Sequence, residues 1–274
     1  MSSQIDFELL HEPKSRNGIL LFHGLTGSPF EMKKYGAFLF KNGFDVYCYS
    51  LPGHGERLNE IETVKFQDWC EFAQNKYEIF RKNYENFFVS GLCLGAVLTL
   101  YLAEKNQDIT GIIALSTTLF LDGKSMPWYK FLLPIGLHSV LRYYYTFPED
   151  NSLGVKNEDT RRKLAKLMAK TTVGLDNYPL SCVYELLKLS KMVRADLEKI
   201  KVPILLIHSV NDNLTRAKSA KIVYERVLSQ NKKYIELEDS FHMVLYDNEK
   251  ERVMNSALEF LDSLTNKAKE GEMV

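Results

Sequence analysis

Residues 87–105 read FFVSGLCLGAVLTLYLAEK. Phe87 to Ser90 make a short apolar run of the kind that forms a buried strand, and from Leu94 onward an amphipathic helix continues to Lys105. Between the two stands Gly91-Leu92-Cys93-Leu94-Gly95. A chain that passes this abruptly from strand to helix runs close against itself, so it needs small residues two positions before and two positions after the turn. Gly91, Gly95 and Ala96 supply them. Cys93, at the apex, is then held above the end of the strand, in the pattern of the nucleophile elbow G-x-S-x-G with cysteine where serine usually stands. The plainer alternative is a glycine-rich helix start with a buried cysteine, since free cysteine is among the most buried residue types. The strand before and the helix after favour the elbow.

Outward from this turn, strands and helices alternate. GILLF at 18–22 predicts a buried strand that stops at the loop HGLTGSP, and residues 30–41 carry helical periodicity. Residues 45–49 read as a strand ending at SLPGHGE, 66–83 as a helix, and GIIAL at 111–115 as another buried strand. The alternation lapses over 118–195, where no buried strand is evident. It resumes after Pro203 with ILLIHS, a helix over 216–229, the strand KKYIEL, and a last helix over 249–265 before a polar tail expected to fray. This order predicts an α/β fold, a mostly parallel central sheet with helices on both faces. Residues 1–117 and 196–274 are expected to form that core, and 118–195 a helical cap inserted at its rim.

Composition narrows the functions. The 274 residues suit one α/β domain with an insertion, and 45% hydrophobic against 26% charged residues is enough for a full core. Lys+Arg and Asp+Glu both number 35, so no basic excess is present to neutralise a nucleic-acid backbone, and no nucleic-acid partner is expected. Cys48, Cys70, Cys93 and Cys182 match no zinc-binding spacing. No metal or cofactor is expected. The N-terminal residues show no basic and apolar leader, and no apolar run reaches the ~18 residues of a membrane span. These features predict a cytoplasmic, reduced protein with no stable membrane insertion, a monomer or a dimer.

A nucleophile at the elbow needs a base and an acid that orients the base, and with this turn they follow in the order nucleophile, acid, histidine. Asp212 lies in HSVNDNL, just beyond the strand ILLIHS, and His242 lies in EDSFHMV, just beyond KKYIEL. All three residues fall at strand ends on one edge of the sheet, where ligands bind in open α/β folds. Taken singly, Asp212 also reads as a turn aspartate and His242 as a loop histidine. Three such residues in the required order argue for a working set. His23-Gly24-Leu25-Thr26-Gly27, after the first buried strand, supplies the remaining part: the backbone N–H groups of Leu25 and Leu94 are the candidate oxyanion donors.

Together these stretches resemble the α/β-hydrolase superfamily, and within it the small-cap bacterial carboxylesterases and monoacylglycerol-lipase-like enzymes. LLFHGLTGSP, YSLPGHGE, SGLCLG, HSVNDNLT and EDSFHMV occur in order and at similar spacing over nearly the whole chain. The resemblance implies Cys93 as nucleophile, Asp212 as acid, His242 as base, and Leu25 and Leu94 as oxyanion donors. It gives His54 a mainly structural part. His23 and His208 read as packing residues at strand ends. In most members of the superfamily the elbow residue is serine; cysteine there is similar to dienelactone hydrolases and polyhydroxyalkanoate synthases.

The thiol changes the chemistry, because a group of pKa ~8.5 can be ionised before attack by an adjacent imidazole, and its acyl product is a thioester. The reading is therefore a hydrolase of carboxylic or thio esters, acting on small-molecule esters of neutral, medium-chain acyl groups through an acyl-cysteine intermediate. An acyltransferase with the same residues and a ligand-binding receptor or pseudoenzyme on the same scaffold are the alternatives. In the cap, SMPWYKFLLPIGLHSVLRYYYTFPED gathers apolar and aromatic residues, and Trp128, Phe131 and Leu132 are the candidate acyl contacts. The same residues also serve simply to pack the cap on the core.

Overall fold

The computed structural model describes residues 6–54, 61–125, 137, 139, 142, 146–148, 152–168 and 177–271. Its centre is a seven-stranded sheet of β1 (Phe7–Leu9), β2 (Asn17–Phe22), β3 (Asp45–Cys48), β4 (Asn86–Leu92), β5 (Gly111–Leu115), β8 (Ile204–Ser209) and β9 (Lys232–Leu237), in the order β1-β3-β2-β4-β5-β8-β9. All neighbours pair in parallel except β1, which runs antiparallel to β3 at the edge. The sequence reading lacks β1, whose three residues are too few to show a period. The other six strands fall where the apolar runs predict them. Two further short strands, β6 (Thr146–Pro148) and β7 (Asn177–Pro179), pair antiparallel with each other apart from the main sheet.

The apolar runs are continuous because both faces of the sheet are covered. Leu20 and Phe22 of β2, Val89 of β4, Ala114 of β5 and Leu206 of β8 enter one core, against α2 (Phe66–Arg81), α3 (Leu94–Lys105) and α5 (Leu180–Asp196). Ile19 and Leu21 of β2, Phe88 of β4, Ile113 of β5 and Ile207 of β8 enter the other, against α1 (Lys33–Lys41) and α7 (Lys250–Gly271). Among the described residues two further α-helices occur: α4 (Glu158–Met168) in the excursion between β5 and β8, and α6 (Lys218–Arg226), whose Val223 joins the first core. The last helix runs to Gly271, beyond the expected end, through Lys267, Ala268, Lys269 and Glu270, all good helix formers.

One expectation is corrected. Helix α3 is not amphipathic: its residues are buried from Leu94 to Leu100 without interruption, and Leu102, Ala103 and Glu104 are buried as well. The reason lies in the excursion, because the buried residues Val183, Leu186, Leu189 and Val193 of α5 join the core that encloses α3, so little of α3 is left for water. Among the described residues, no helix is long and apolar enough to cross a membrane.

This burial traps a carboxyl. Glu104 Oε1 has no hydrogen-bond partner, and burial pushes the group from 4.5 up to about 8, with Asp196 adding to the shift. The folded chain thus keeps a proton that the unfolded chain gives up, and stability falls as pH rises from about 4.5 towards about 8. Glu104→Gln removes that dependence. Its melting temperature should match the parent's at about pH 5 and exceed it by at least ~3 °C at about pH 9, measured by thermal denaturation across that range.

Candidate active site

Cys93 joins β4 to α3 with φ 57° and ψ −113°, a conformation unfavourable for a residue with a side chain. The neighbouring glycines make it attainable. A Cβ on Gly91 would stand 2.1 Å from the Gly95 carbonyl oxygen, and a Cβ on Gly95 would stand 2.2 Å from that of Phe22. Only hydrogen fits at either place. The Cys93 N–H donates to Leu115 O at 3.1 Å, which ties the turn to β5.

The residues predicted to gather do gather. His242 Nδ1–H donates to Asp212 Oδ2 at 2.8 Å, with both side chains almost wholly buried. His242 Nε2 is buried without a further partner, and the charge of the ring is coupled to that of the Cys93 thiol. Asp212 sits in the turn after β8, where Oδ1 accepts the N–H groups of Leu214 (2.9 Å) and Thr215 (3.0 Å). The His242 backbone is fixed as well: Ser116 Oγ donates to its carbonyl at 2.7 Å, and Met243 N–H bonds Gly154 O at 2.8 Å. Asp247, on the same loop, accepts backbone N–H groups from Lys156 (2.7 Å), Asn157 (2.9 Å), Phe241 (2.7 Å) and Asn248 (3.0 Å), binding the excursion to the His242 loop.

Burial opposes charge on all three groups, yet each shift runs the other way. Burial would raise the Cys93 thiol, but the His242 charge, the Thr118 hydroxyl and the Leu25 N–H together hold it below its ordinary value of 9.0. Burial would lower His242, but Asp212 and Cys93 raise it well above its ordinary value. Asp212, against its own burial, is held well below the usual carboxylate range by His242 and His208. The charges of His242 and Asp212 thus work against burial and favour ionisation of the Cys93 thiol. Burial pushes Cys70 and Cys182 up to about 12 and Cys48 well above the ordinary thiol value.

The Leu25 N–H, read from the sequence as an oxyanion donor, favours charge on the Cys93 thiol. Leu94 opens α3, so its N–H has no acceptor inside the helix. Around them the structure adds groups that no motif announces. Thr118 Oγ1 lies 3.3 Å from Cys93 Sγ, His208 Nε2 lies 3.3 Å from Asp212 Oδ2, and Glu31 Oε2 accepts Gly24 N–H at 2.9 Å. His208 packs at a strand end as read, and also braces the acid; its place one residue before the end of β8 is the only signal for this in the sequence. His54 bonds Leu25 O and Pro52 O, in keeping with a structural part. Trp128, Phe131 and Leu132 lie outside the described residues. Among the described residues no cluster of three or more His, Cys, Asp or Glu is placed to hold a metal ion.

The sequence matches the Hydrolase_4 family, serine aminopeptidase S33, over residues 13–250. It is 27% identical over 243 residues to a thermostable monoacylglycerol lipase of Bacillus sp. (strain H-257), covering 89% of both chains. To a carboxylesterase of Bacillus subtilis (strain 168) it is 25% identical over 247 residues, 90% of this chain and 92% of the relative. Among solved structures, a metagenome-derived lipolytic enzyme superposes with a TM-score of 0.80 at 22% identity, over 94% of this chain and 97% of the other. The structural likeness bears out the expected fold.

The coupling of thiol and ring sets a measurable expectation. Iodoacetamide should alkylate Cys93 at least ~10-fold faster than Cys48, Cys70 or Cys182 near neutral pH, with a rate that rises along a titration centred below the thiol's ordinary value. His242→Ala should slow the reaction and move that titration upward. Peptide mass mapping reads the four sites separately, and equal labelling would count against an activated Cys93.

Proposed function

We propose that this chain, which belongs to the Hydrolase_4 (serine aminopeptidase, S33) family of α/β-hydrolases, is a carboxylic-ester hydrolase that works through an acyl-Cys93 thioester. The observation that carries this reading is the buried pair of His242 and Asp212, 2.8 Å apart, whose charge favours ionisation of one thiol, Cys93, while burial drives the other three up. Family and relatives supply the reaction class, since the relatives named above are a monoacylglycerol lipase and a carboxylesterase.

In the proposed cycle the Cys93 thiolate attacks the ester carbonyl. The oxygen of the tetrahedral intermediate takes up its charge between the N–H groups of Leu25 and Leu94. As the C–O bond breaks, the His242 imidazolium passes its proton to the departing alcohol and the thioester forms. His242, now neutral, takes a proton from water, which attacks the thioester; the acid leaves and the thiolate–imidazolium pair is restored. Asp212 keeps the histidine's Nδ1–H pointing at itself and stabilises the cation. The excursion over 118–195 acts as a cap, and the apolar residues gathered in its sequence suit a neutral acyl chain such as that of a monoacylglycerol. Because thioesters react readily with amines and thiols, transfer to such an acceptor is the second reading, supported by the cysteine itself.

Intact-mass spectrometry after mixing with p-nitrophenyl esters of increasing chain length should show one acyl group on Cys93, absent from Cys93→Ala. His242→Ala should lower kcat by ~10³-fold or more, and Asp212→Asn by ~10²–10⁴-fold. An acyl adduct that persists in Cys93→Ala would overturn the covalent reading. Added thiol or amine that diverts the product from free acid would select the transferase.

A further inference from the structure

The oxyanion loop can be accounted for atom by atom. Residues 24 and 25 carry two N–H groups and two carbonyls. Gly24 O accepts His23 Nδ1–H at 2.8 Å and Gly27 N–H at 3.3 Å, and Leu25 O accepts from His54 Nε2. The Leu25 N–H favours charge on the Cys93 thiol. The remaining group, Gly24 N–H, is held by Glu31 Oε2 at 2.9 Å.

Glu31 comes from the 3-10 turn Pro29–Met32 that follows the loop, and its carboxyl folds back underneath it. A Cβ on Gly27 would stand 2.1 Å from the Glu31 carboxyl. One on Gly24 would stand 3.2 Å from Oε2 and 3.5 Å from Cys93 Cβ. Carboxyl, loop and elbow are therefore in successive contact, and both glycines leave the room that the acid fills. Burial pushes this acid from 4.5 up to about 7, against the pull of the Gly24 N–H and of His242. A carboxyl in such a place is a poor choice for stability alone, since an apolar side chain of similar bulk would avoid the desolvation cost. What the acid supplies is an acceptor at one defined point under the loop.

We propose that Glu31 is a positioning residue: by holding Gly24 N–H it fixes the Gly24–Leu25 peptide so that Leu25 N–H points at the oxygen of the acyl group bound to Cys93. This rests on the acyl-cysteine reading above. The carboxyl does not touch the reacting atoms; it acts through the peptide that it holds.

Two reactions of the same sulfur separate this role from general support. Acylation by an ester builds negative charge on oxygen and needs the donor. Alkylation by iodoacetamide proceeds at carbon and passes through no oxyanion. Glu31→Met and Glu31→Ala remove the acceptor with and without its bulk, and Glu31→Gln keeps an amide oxygen that can take the Gly24 N–H. The Met and Ala variants should lose ~10- to 100-fold in kcat for p-nitrophenyl butyrate, with KM and the alkylation rate each within ~3-fold of the parent. Glu31→Gln should recover most of that loss. The proposal is overturned if both acceptor-free variants keep kcat within ~2-fold, if acylation and alkylation fall together, or if the Gln variant is as slow as the Met variant. A parent protein that alkylates at Cys93 but forms no acyl adduct would instead sink the covalent reading, and this role with it.

Discussion

The site depends first on the contact between Gly95 and the end of β2. With hydrogen alone at Gly95, the first turn of α3 closes against the Phe22 carbonyl, where a methyl group would stand at 2.2 Å. That closeness sets two backbones side by side, the loop that leaves β2 and the turn that leaves β4. The N–H groups of Leu25 and Leu94 come from those two backbones. The same turn holds Cys93 at φ 57°, which for a residue with a side chain costs on the order of 1–3 kcal/mol. The paired strands on either side of β4 and the buried flanks of α3 offset that strain.

Placing an ionisable thiol in such a position sets burial against charge. Burial alone drives a thiol towards its neutral form, as Cys48, Cys70 and Cys182 show. Cys93 is buried as well, yet shifts the opposite way because a cation, a hydroxyl and a backbone donor act on it. The cation in turn is sustained by a carboxylate that accepts Leu214 N–H, Thr215 N–H and His242 Nδ1–H and lies 3.3 Å from His208 Nε2. Each charge is tolerable only in company, so the groups are coupled and removing one disturbs the protonation of the rest.

Much of this was legible in the sequence because it is written locally. Glycines at 91 and 95 encode a turn, apolar runs encode strands buried on both faces, and residues just beyond strand ends are carried to one rim of the sheet. The order of Cys93, Asp212 and His242 then narrows their meaning. What stayed hidden has no local signature. Thr118 and Glu31 reach the site by tertiary packing, and nothing in their immediate neighbours distinguishes them from a loop threonine or a surface acid. Strand β1 is too short to show a period. Helix α3 reads as amphipathic until α5, some eighty residues later in the chain, covers its outer side.

Asp247 gives the molecule a seam. Its carboxylate gathers backbone N–H groups from residues 156 and 157 on one side and from 241 and 248 on the other, while α5 is anchored separately in the core. The chain between those two anchor points is thus a closed span whose ends stay put. Closing a longer or shorter span changes free energy only logarithmically with its length. Changing the length of this stretch therefore alters the free energy of closure little, while Cys93, His242 and Asp212 are held by elements outside it.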